Sequence, residues 1–73
     1  MKLDKERQGK ANSITMDLEN IIYEHKISDL ESFLSDVSSI ICRLDTDIAI
    51  EVMENFGEEG KRQSHAIKVN YGY

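Results

Sequence analysis

The side chains able to ligate a soft metal or act as strong nucleophiles are few: His25, Cys42 and His65. They are widely separated and show none of the paired spacings of zinc sites. Cys42 has no neighbouring base that would raise its thiolate fraction, so it reads as a small packing residue. His25 suits a helix end, where a partial positive charge meets the C-terminal dipole. Carboxylates are plentiful, and four of them, Asp47, Glu51, Glu54 and Glu58, are spaced four, three and four. That spacing lines them along one helical face. A solvated ridge of this kind lacks the burial that tunes a carboxylate for acid–base work. The Gly57-Glu58-Glu59-Gly60-Lys61 stretch puts two acids where a bound phosphate would sit, so it is not a Walker loop. Binding rather than catalysis is therefore expected, with no metal and no cofactor.

The charge is unevenly distributed. The formal net charge is −5 over 73 residues. Residues 1–12 carry Lys2, Lys5, Arg7 and Lys10 against Asp4 and Glu6, a balance of +2. Residues 61–73 carry Lys61, Arg62 and Lys68 with no acid, a balance of +3. The segment between holds twelve acids against Lys26 and Arg43, a balance of −10. An acidic body disfavours nucleic acid, whose phosphates need dense Lys and Arg, and favours a partner protein with a basic surface. No apolar run approaches the ~18 residues of a membrane span, so no membrane partner is expected. The MKLDKERQGKAN start has no apolar stretch behind its charges, and a lone cysteine suits a reducing compartment. A cytoplasmic location is the expectation.

The elements that must position these residues follow from periodicity. The charged, glycine-containing residues 1–12 read as a flexible basic arm. Ile14, Leu18, Ile21, Ile22 and His25 recur at helical steps, predicting a first helix over about 14–25 capped by Asn12 or Ser13. Ile14, Met16 and Leu18 also alternate, so Ser13–Leu18 could instead start as a strand. Ser28-Asp29-Leu30-Glu31 has the form of a capping box. Behind it Leu30, Leu34, Val37, Ile41 and Leu44 follow a 3.5-residue repeat, widened by Phe33 and Ile40, which predicts a second helix over 29–44. Ser35, Ser38 and Cys42 would let another helix approach closely. Ile48, Val52, Met53 and Phe56 predict a third helix over 47–56 ending at Gly57, either separate from the second or continuous with it through a bend. Residues 58–64 read as a loop. His65, Ile67, Val69, Tyr71 and Tyr73 then alternate with smaller or polar residues, the period of a β-strand in search of a partner.

The expected architecture is mainly α, two to three short helices forming a hairpin or small bundle over 13–57, with a C-terminal strand or extended tail over 58–73. Such a chain is near the lower size limit for a self-sufficient core. A homodimer sharing the face Leu30, Phe33, Leu34, Val37, Ile40, Ile41 and Leu44 would relieve that, with tail contacts through Ile67, Val69, Tyr71 and Tyr73. Three functions compete. The first is an adaptor or inhibitor that docks Asp47, Glu51, Glu54 and Glu58 on a basic site, including by imitation of DNA. The second is a structural or assembly subunit acting through the second helix and the tail. The third is a weak single-stranded nucleic-acid binder using Lys61, Arg62, Lys68, Tyr71 and Tyr73. In character, a short, acidic, proline-free helical chain resembles the small inhibitors of phages and mobile elements and the bacteriocin immunity proteins. The Tyr-Tyr-Pro segment of colicin DNase immunity proteins has no counterpart here.

Overall fold

A computed structural model describes residues 3–73. Among these the secondary structure is helical: α1 (Lys5–Glu24), α2 (Leu30–Leu44), α3 (Thr46–Glu54) and α4 (Gly57–Asn70). The mainly α architecture expected from periodicity holds, with four helices in place of two to three and no strand among the described residues.

The short α3 is the hub. Ile48, Ala49, Ile50, Val52 and Met53 are all buried, so most of its circumference faces protein. Its backbone runs close to α1, α2 and α4, whereas that of α1 runs close to neither α2 nor α4. Leu34 and Ile41 of α2, Ala11 and Leu18 of α1, and Ile67 of α4 complete the core around it. Asp45 separates α2 from α3 by adopting an extended conformation (φ −162°, ψ 105°), which makes them two helices rather than one bent helix. Its carboxylate then caps α3, accepting from the backbone N–H of Asp47 and of Ile48 at 3.1 and 3.2 Å.

Several sequence expectations are corrected. The first helix begins at Lys5, not near residue 14, because the Asp4 carboxylate caps it by accepting the Arg7 backbone N–H at 2.8 Å. Residues 5–12 therefore belong to α1 rather than to an arm, and Ser13–Leu18 is helical rather than a strand. Met1 and Lys2 lie outside the described residues. The second helix is found as read, within a residue, but its N-cap is Asp29, which accepts from the Ser32 backbone N–H at 3.0 Å, and not Ser28. Gly57 does not follow the end of α3: the C-cap is Asn55, and Gly57, at φ +70°, is the first residue of α4.

The largest correction concerns the C-terminal segment. Residues 58–64 are not a loop and 65–73 are not a strand; both belong to α4 or its end. An isolated strand leaves its backbone groups unpaired, whereas a helix satisfies them within the segment. The buried positions of α4 are Gly60, Ser64 and Ile67, spaced four and three. Two of those three are small or polar, so the helical period is invisible to an apolar pattern while the chance alternation of 65–73 is conspicuous. Small residues also line the facing side of α2, where Ser35, Ser38 and Cys42 border a groove shared with Gln63, Ile67 and Tyr71 of the α4 segment.

Candidate functional site

The acidic ridge is built from two helices. Asp47, Glu51 and Glu54 share one face of α3, while Glu58 sits in the first turn of α4, where its charge suits the helix N-terminus. The two basic ends of the chain fold back onto this ridge. From α1, Arg7 forks onto Asp45, donating from Nε to Oδ2 at 3.0 Å and from Nη2 to Oδ1 at 2.6 Å, and Nη2 also reaches Asp47 Oδ2 at 3.0 Å. The Tyr73 hydroxyl donates to Asp47 Oδ1. From α4, Lys68 Nζ and Ser64 Oγ each donate to Glu54 Oε2 at 2.9 Å. Gln8 donates to Glu51 at 3.4 Å.

These contacts set the local electrostatics. The guanidinium of Arg7 holds Asp45 below the ordinary carboxylate range, and the Tyr73 hydroxyl together with Arg7 does the same for Asp47. Lys68 and Ser64 lower Glu54. The Asp47 carboxylate in turn raises the Tyr73 phenol, which is held in its neutral, donating form. A cleft of about 350 Å³ lies beside the cluster, bounded by Leu3, Ile50, Glu51, Lys68 and Tyr73. Its charged groups are largely paired with one another. Burial pushes the Cys42 thiol up, away from the thiolate a nucleophile needs. Among the described residues no three His, Cys, Asp or Glu side chains converge as metal ligands.

The apolar face assigned to the second helix divides in two. Leu34 and Ile41 are buried in the core, and Leu30, Phe33 and Val37 are half-buried. Ile40 and Leu44 are exposed, at 61% and 82%. With Phe33 and Val37 they are spaced four, three and four, a continuous stripe beside the core-facing side of α2. Because the α1 backbone runs close to α3 and not to α2, the stripe meets, at Leu44, a groove of about 410 Å³. Its walls are Ile14 from α1, Ile41 and Leu44 from α2, and Ile48 beneath. The sequence placed these residues on one helix face but gave no sign that α1 would stand off from it.

The tail residues separate similarly. Ile67 is buried, Val69 and Tyr71 are exposed, and Tyr73, though exposed, is engaged with Asp47. Of the basic residues considered for nucleic acid, Lys68 pairs with Glu54 and Arg62 pairs with Glu31 at 3.3 Å. Sequence reasoning missed Arg7 and Asp45 as a joining pair. The available signal was an arginine in a basic segment and an acid at a helix junction, which does not specify a contact between residues 38 positions apart. Compared with protein-family models, curated proteins and solved structures, the chain matches none of them.

Proposed function

We propose that this protein is a non-catalytic protein-interaction module whose working surface is the groove between α1 and α2. The observation that carries this reading is the stripe of Phe33, Val37, Ile40 and Leu44, in which Ile40 and Leu44 are exposed and Phe33 and Val37 half-buried, and which meets at Leu44 a groove floored by Ile48. An apolar stripe facing solvent over the length of a helix is the surface a partner helix fills. Docking of the acidic ridge on a basic partner, as an inhibitor or a DNA mimic, has less support. Three of its four carboxylates already accept hydrogen bonds from Arg7, Gln8, Ser64, Lys68 or Tyr73. A partner's cations would have to displace those internal donors. In the tail Arg62, Lys68 and Tyr73 are likewise engaged with acids of the chain, which reduces the basic surface offered to a nucleic acid.

The test is a photo-reactive amino acid incorporated at Ile40, with Glu19 on exposed α1 as control, and irradiation in cells that naturally contain the protein. Covalent adducts to polypeptide at position 40 and none at 19 support the reading. Equal labelling at both positions, or none at 40, overturns it.

A further inference from the structure

Granting the interaction surface just proposed, we infer that its occupant is a second copy of this chain, with the two α2 helices packed antiparallel about a twofold axis. Three features of α2 point to self-pairing. First, the stripe is itself a helix-pairing seam: at about 100° per residue Phe33, Val37, Ile40 and Leu44 fall within an arc of about 60°, centred about 80° from the buried Leu34 and Ile41. Its midpoint lies between Val37 and Ile40. Antiparallel pairing about that point sets Val37 against Ile40 of the second copy and Phe33 against Leu44 of the second copy, twice each by symmetry. The two exposed large apolar side chains of the helix are thereby buried against the two half-buried ones.

Second, the charges beside the stripe complement themselves. Asp36 and Arg43 lie on the solvent flank, about 20° apart in projection. Both are exposed, and neither forms an ion pair among the described residues. In an antiparallel helix pair like flanks meet, so Asp36 of one copy faces Arg43 of the other, offset by about 3 Å along the axis, within reach of an arginine side chain. A parallel pair opposes unlike flanks and brings neither charge to an opposite one. The same two residues therefore select both the partner and the orientation.

Third, the groove makes room for it. Leu44 stands at the rim with Ile14 across the gap, and Ile21 on the same side of α1 is also partly exposed, so the second copy's helix meets apolar side chains from both walls. The assembled object is a four-helix arrangement of α1, α2 and their symmetry mates, with each α3 behind as a brace.

Sedimentation velocity of the full chain from about 5 to about 500 μM tests this, with exposed-site variants that leave the core intact. Asp36→Arg and Arg43→Asp each place like charges opposite one another at two symmetric positions, and each should weaken dimerisation roughly tenfold or more. The double variant Asp36→Arg/Arg43→Asp should restore it to within about threefold of the parent. Ile40→Glu should abolish it while the helical circular dichroism is kept. A parent chain that stays monomeric throughout, or a double variant no better than the single ones, overturns the antiparallel self-pairing. Because the photo-crosslinking at Ile40 scores any polypeptide, adducts there to other proteins alone would leave the interaction surface standing while removing the second copy as its occupant.

Discussion

At Gly60 the fit between α3 and α4 leaves no room for a side chain, and it reverses a general rule. Alanine in a helix interior is ordinarily favoured over glycine by about 0.8–1.0 kcal/mol. At Gly60 an added Cβ would lie 1.9 Å from the Met53 carbonyl oxygen and 2.8 Å from Phe56 Cβ. The nearer atom is backbone and cannot swing aside. Relief requires α4 to retreat from α3 by about 1 Å, in an interior packed like a crystal. That retreat loosens Met53 and Val52, both fully buried. Overpacking of this kind costs about 1–3 kcal/mol, and a clash with a carbonyl belongs at the upper end. After the propensity gain, Gly60→Ala should lose about 1–2 kcal/mol, a fall in Tm on the order of 4–16 °C for a domain of this size. Gly9 supplies the control, since nothing lies within 4 Å of a Cβ there, and Gly9→Ala should gain up to about 1 kcal/mol. Urea and thermal unfolding followed by far-ultraviolet circular dichroism, at low protein concentration, reads both. A Gly60→Ala variant as stable as the parent would refute the close α3–α4 contact.

Acid should destabilise the protein through the ridge. Asp45, Asp47 and Glu54 all have lowered native pKa values, so their contribution is complete above the unfolded values near about 4 and is lost as pH falls through the native ones. Urea midpoints between pH 2 and 6 should show this fall, and Arg7→Gln should flatten it; an unchanged pH profile would count against the Arg7 fork. Leu34→Ala, at a fully buried site, should cost about 2–5 kcal/mol, whereas Leu44→Ala measured at low protein concentration should change stability by under about 0.5 kcal/mol. Asp29→Ala should cost about 1 kcal/mol by removing the α2 cap, with Ser28→Ala near neutral; the reverse order would restore Ser28 as the cap.

What the sequence made legible was whatever apolar periodicity could carry. The α2 boundaries follow from the Leu30–Leu44 repeat, and α3 is recognisable from Ile48, Val52 and Met53. The first turns of α1 were hidden because charge and Gly9 resemble a mobile arm; what orders them is a distant partner, Asp45, for Arg7. The α4 helix was hidden because its buried face is written in Gly60 and Ser64 rather than in large side chains. The segmental charges, +2, −10 and +3, were visible from the start. Their meaning was not: a periodicity argument places acids on a face but cannot say that the chain's own ends will neutralise them.

The claim on which the functional reading turns is that the outer stripe of α2, and not the acidic face of α3, is the adhesive surface. A concentration series of methyl and amide NMR spectra of the parent chain addresses both surfaces in one measurement. The shifts that move with concentration should cluster at Ile14, Ile21, Phe33, Val37, Ile40 and Leu44, with Asp47, Glu51, Glu54 and Glu58 unmoved. Movement centred on those four acids would contradict it, while spectra that do not change at any concentration would remove the second copy as the occupant of the stripe.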